Sequence, residues 1–279
     1  MLTASGKVCS RRAVCKRQLS PEESRAVREF LSNWEDPVDD VAREIRAAVR
    51  RGDIDIDNVA SIRSFVQDSF AGRTGDLQAT ISAHAEDGAR IGREVAARRL
   101  GVDVAFDIVP EQTIRELDDW AVTVSESVSD TLEDEITNYL QGAREQGLSI
   151  EDIADEFESE WMENRLHGSH AEQVARDVTV APSNAGQHSV MQEIDEIIAE
   201  QWVTEIDGRE RDAHQEADGQ IVPVDGTFIV GGEEMRHPGD PRGSVENVTN
   251  CRCAIVGVWE DDLSDEEATA IRNGERLNV

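Results

Sequence analysis

The chain has 279 residues, 38% hydrophobic and only 4% aromatic, with 59 Asp plus Glu against 28 Lys plus Arg and a net charge of −31. That length can bury a real core of Val, Ile, Leu and Ala, as one large or two modest domains. No apolar run approaches the roughly 18 residues needed to span a bilayer, which excludes a membrane-embedded role and predicts a soluble chain.

The charge has two further features. Lys7 and Lys16 are the only lysines, and every other cation is arginine. Many carboxylates, almost no lysine and few bulky apolar groups fit a surface selected for saturating salt, where a Debye length of about 3 Å screens self-repulsion. This is the mark of an extreme halophile or its virus; an ordinary acidic mesophilic protein is the alternative. Residues 1–20 carry five Lys or Arg and no acid, leaving 23 cations against 59 acids in the rest. This basic, flexible arm lacks the apolar core and cleavage site of a secretory signal. It is either a tether, with a weak contact to DNA phosphates, or a solvated tail. Its Cys9 and Cys15 can form a disulfide or half a metal site, and the preferred reading is two unpaired thiols.

Residues 21–200 predict helix after helix. Ser20, Pro21 and Glu23 form a capping box ahead of the first, and a short separate helix is expected over 37–51. Another spans about 56–72. Leu77, Ile81, His84, Gly88, Ile91 and Val95 then mark one face of a helix, with His84 expected as a satisfied core histidine. A long helix over 110–146 carries the stripe Ile114, Leu117, Trp120, Val124, Val128, Leu132, Ile136 and Leu140. Gly147 stops it and Ser149 caps the next. Two more helices are expected over 168–179 and 184–203, separated by "VAPSN".

The texture changes near residue 205, and 201–279 predict a compact α+β module. "QIVPVDGTFIVGG" alternates, with Asp225-Gly226 as a two-residue hairpin turn. "CRCAIVGVW" predicts a buried third strand. Ser264 and Glu267 box the start of a last helix that Gly274 stops. The fold class is therefore mainly α with a small α+β C-terminal module: a helical N-terminal region, then a short antiparallel hairpin or sheet packed on helices.

The order and spacing of residues 145–258 resemble the phage Mu F-like head morphogenesis family, minor head proteins of tailed viruses. Arg176, Ala185, Gly186 and Trp202 lead the set. Arg211, His214, Asp218, Gly219 and Phe228 follow, then Pro238, Gly239 and Asp240, and finally Asn250, Cys251, Arg252 and Cys253. The resemblance implies a low-copy virion component of the head interior or portal vertex, present in host cytoplasm during assembly. It implies association with a portal protein and with the major capsid protein, a part in head assembly, and departure with the genome on ejection.

The residues themselves leave alternatives open. Cysteines two apart on a strand face the same side, with Arg252 turned away. They can form a structural zinc clip with His214 and His237, a strained disulfide, or a pair of small buried side chains. The resemblance favours the clip, yet Arg211 stands where it leads one to expect a cysteine. Arg211, His214 and Asp218 read either as an acid–base cluster or as a lock of helix against hairpin, and the lock is preferred. No activated nucleophile is apparent, so no enzymatic role is expected. The competing view is a zinc-dependent hydrolase or toxin-like enzyme built on His214, Cys251 and Cys253.

Overall fold

The structure, a computed structural model, describes residues 19–102, 108–166 and 169–277. It is mainly helical, with a small antiparallel sheet in the C-terminal part packed on helices. The basic arm, with Cys9 and Cys15, lies almost wholly outside the described residues.

The helices are α1 (Pro21–Arg51), α2 (Val59–Ala71), α3 (Thr74–Leu100), α4 (Glu111–Glu145), α5 (Ile150–Glu156) and α6 (Ser169–Gln192), with wide π turns over Phe157–Leu166 after α5. The first departs from expectation, because a single helix runs through Pro37. Its apolar stripe Phe30, Trp34, Val38, Val41 and Ile45 stays in register across that point, and all five are buried. Burial of a continuous face outweighs the backbone bond a proline removes. Ser20 and Glu23 exchange the two bonds of the expected capping box. Asn58 caps α2 and Ser149 caps α5.

After α6 come β1 (Ile197–Val203), α7 (Asp212–Ala217), β2 (Ile221–Pro223), β3 (Phe228–Val230), β4 (Glu233–Met235), α8 (Val245–Val248), β5 (Ala254–Trp259) and α9 (Asp265–Arg272). One three-stranded antiparallel sheet has the order β2-β1-β5, and β3 pairs with β4 separately. Two expectations are corrected here. Residues 197–203 form the central strand instead of the end of a helix; a short apolar run does not by itself distinguish the two. Asp225-Gly226 does turn the chain, with Gly226 N donating to Pro223 O, but β2 and β3 do not pair across it. The Gln220 carboxamide takes both main-chain groups of Ile229, and the hairpin closes instead at Gly231-Gly232, both at positive φ.

The described residues fall into two compact units. One is helical and comprises 27–84 and 118–175 without 167–168. Ile62, Val66, Phe70, Leu77, Ile81, Leu132, Ile136 and Leu140 are buried there. His84 is buried and lies 4.9 Å, ring centre to ring centre, from Phe30. The bidentate Arg144–Asp57 pair joins α4 to the loop before α2.

The other unit comprises 19–26, 85–102, 108–117 and 176–277, so it holds every strand. Its boundaries cut across the expected division at residue 200. Within it α3 and α6 meet through small residues. A Cβ on Gly92 would stand within 2.8 Å of three main-chain atoms of Ser183, and one on Gly186 within 2.9 Å of three of Ala89. Pro182, inside α6, lies against Gly88 at this crossing, so the expected break at "VAPSN" is a contact point within one helix.

Candidate functional site

The strand-bearing unit brings His214, Cys251 and Cys253 together. His214 comes from α7, whose first turn follows Arg211, and the cysteines lie in the extended segment just ahead of β5. Both sulfurs reach the same imidazole, as their two-residue spacing predicts. Nδ1 of His214 is 3.3 Å from Cys253 Sγ and 3.8 Å from Cys251 Sγ. All three side chains are buried, at 2–4% exposure. No disulfide joins the two cysteines, so the disulfide alternative is not what this structure shows.

The surroundings fix the group. Trp202, fully buried, sets its ring edge-on to His214 and donates its indole N–H to Thr204. The Thr204 hydroxyl in turn donates to the main-chain carbonyl of His214. Asp218 accepts from Thr204 N, and Gly219, at positive φ, donates to Trp202 O. Arg211 donates to Thr249 O, holding the turn that leads into the cysteines. Asn250 occupies the left-handed region at φ 53°, with its N–H on the Asp177 carboxylate. Arg252 points away, as expected, to Asp207 and Glu205. Arg211, His214 and Asp218 thus make three separate ties, none an acid–base pair, in place of the one lock of helix against hairpin that the sequence favours.

Neighbouring sulfur and burial push the Cys251 thiol well above its usual range, so as an isolated group it stays protonated. His214 Nε2 is buried with no hydrogen-bond partner. Leaving such an atom unmet costs about 1–3 kcal/mol.

His237 is not part of this group. Its ring lies 5.7 Å from that of His188, and burial pushes it down to about 4. Its neighbours Pro238, Gly239 and Asp240 form a loop against α6. Gly239, at φ 80°, leaves no room for a Cβ beside Ala181. Burial alone would raise Asp240, but His237, Arg242 and Arg236 hold its carboxyl well below the usual range.

Sequence reasoning missed several of the residues that assemble this region. Asn184, fully buried, donates to the carbonyls of both Pro238 and Cys253, tying the loop and the cysteine segment to α6. His188 meets both carboxylate oxygens of Glu200 at 2.8 and 2.9 Å in the core. A polar residue in an expected helix carries no signal for such partners; only the strand assignment of 197–203 places Glu200 inward.

These ties join the elements whose sequence resemblance was noted above, and the comparison with known families covers the same elements. Residues 134–256 match the Phage Mu protein F like family. The chain is also similar to a protein of Bacillus subtilis (strain 168) named Uncharacterized protein YqbB, 27% identical over 213 residues, or 74% of this chain and 66% of that protein. It thus spans about two thirds of that relative's length. No solved structure matches. The Mu F-like region ends inside β5 and contains α6, α7, the Pro-Gly-Asp loop and the cysteine segment. Every residue that holds the His/Cys/Cys group therefore falls within it. Among the described residues, no helix is long and apolar enough to cross a membrane.

Proposed function

We propose that this chain is a minor head protein of a tailed virus, acting by adhesion in head morphogenesis. The Mu F-like match over residues 134–256 carries the reading. In this proposal the protein sits at the portal vertex or head interior, binds the portal protein, contacts the major capsid protein, and leaves with the genome on ejection. The basic arm of residues 1–20 would add a weak DNA contact, and the net charge of −31 fits a virus of a halophilic host.

The structure supports adhesion over turnover in one respect. A hydrolase built on His214, Cys251 and Cys253 needs that group open to substrate, whereas all three side chains are buried, at 2–4% exposure. The zinc-enzyme alternative is not favoured.

Co-expression with the portal and shell proteins of the same genome, in molar salt, tests the proposal. Retention of the chain on the portal through purification is the expected result. Failure of both portal and shell protein to retain it would overturn the assembly role.

A further inference from the structure

We propose that His214, Cys251 and Cys253 hold a single zinc ion through Nδ1 and two thiolate sulfurs, as a buried cross-link with no catalytic part. In a tetrahedral site with Zn–N of about 2.0–2.1 Å and Zn–S of about 2.3 Å, nitrogen and sulfur stand roughly 3.5 Å apart. The two distances here, 3.3 and 3.8 Å, bracket that edge. The three donor atoms lie within 4.8 Å of one another, so the fold sets a nearly complete triangle of ligands before any ion arrives.

Charge and donor type narrow the ion. Two thiols release two protons to solvent on binding, and two thiolates with one divalent cation leave the site neutral. Neutrality matters because the cysteines belong to an apolar cluster with Met191, Trp202, Phe228 and Met235. Sulfur and imidazole donors exclude calcium and magnesium, which take oxygen, and suit zinc. No other His, Cys, Asp or Glu among the described residues joins the group, so these three side chains leave one tetrahedral position to a ligand of another kind. Thr204 Oγ1 lies 3.6 Å from Cys253 Sγ, a contact with the sulfur.

The outer contacts are of the sort that orient metal ligands. Trp202 sets the ring plane, Thr204 holds the His214 main chain, and Asn184 holds the carbonyl of Cys253. The ion would join α7 to the segment entering β5, two pieces 37 residues apart in the chain. Its binding free energy would then be folding free energy for the strand-bearing unit. This inference does not depend on the head-protein reading.

The test uses the full wild-type chain, purified without a histidine tag under reducing conditions. Metal analysis should find one equivalent of zinc. Cobalt(II) added to the metal-free chain should give the intense tetrahedral spectrum with sulfur-to-cobalt charge transfer, and binding should release protons. Cys253→Ser and His214→Asn should lose at least tenfold in zinc affinity while far-ultraviolet circular dichroism shows the helices intact. Two outcomes overturn the proposal. One is a wild-type chain that retains no zinc and leaves cobalt with its aqueous spectrum. The other is stoichiometric binding that survives in the Cys251→Ser/Cys253→Ser double variant, which would put the metal elsewhere.

Discussion

Gly92 in α3 and Ser183 in α6 approach so closely that no side chain fits between them: a Cβ on the glycine would meet the carbonyl oxygen, carbonyl carbon and Cα of the serine at once. Backbone cannot swing aside as a flexible side chain can. The same holds reciprocally for Gly186 against Ala89. Gly92→Ala or Gly186→Ala should therefore destabilise the protein by about 3 kcal/mol, at the upper end for overpacking. Gly142→Ala is the control. It lies within α4 with nothing near its would-be Cβ, and should stabilise by roughly 0.5–1 kcal/mol. Denaturant titration at fixed salt checks both signs.

Asp240 has a different kind of dependence. It is fully buried and accepts from Arg236 N, Arg236 Nε, Arg242 N and the Arg242 guanidinium. Asp240→Asn keeps the shape but removes the charge opposite two guanidinium groups. Removing one partner of a buried pair costs about 3–5 kcal/mol, and the partial exposure of both arginines puts the expected loss nearer 3. Thermal unfolding of the variant measures it.

His237 should make stability depend on pH in acid. Burial pushes its imidazole down to about 4 from an ordinary 6.5, against the opposing pull of Asp240, while His188 and Arg236 add to the depression. In the unfolded chain the ring takes a proton below about 6.5, whereas in the fold it stays neutral to about 4. The unfolded state thus binds more protons between those values, and stability falls as pH drops through that window, by up to about 3 kcal/mol. His237→Gln should flatten the profile between pH 6.5 and 4. A variant that retains the full wild-type slope there would assign the effect to other groups.

The surface charge predicts a salt response of opposite character. With a net charge of −31, like-charge repulsion opposes the compact state until salt screens it. The unfolding midpoint should rise between roughly 0.1 and 1 M KCl, as the Debye length shrinks from about 10 Å to about 3 Å. A midpoint that stays level or falls over this range would remove the case for a salt-adapted surface.

Much of this architecture was legible where a side chain's neighbours are near in sequence. The stripes of α3 and α4, the boxes at Ser20 and Ser264, and the cap at Ser149 depend on spacings of three and four residues, which a single chain displays. Pro37 and Pro182 misled because a proline's local cost is visible in sequence, while the tertiary packing that offsets it is not. Residues 197–203 misled because their burial depends on β5, which pairs with them from more than 50 residues away. Two-residue spacing put both sulfurs on one side even though they precede the strand. His237 went astray for the reverse reason: its place is set by the fold of the Pro-Gly-Asp loop against α6, and residue type alone suggested a ligand.

The proposal that this chain is a working part of a viral head is tested most directly by quantitative mass spectrometry of purified, genome-filled heads from the virus or provirus that encodes it. The account predicts the protein there at low copy relative to the shell subunit, with malformed or empty heads when its gene is deleted. Its absence from such particles, together with normal heads after deletion, would contradict the account.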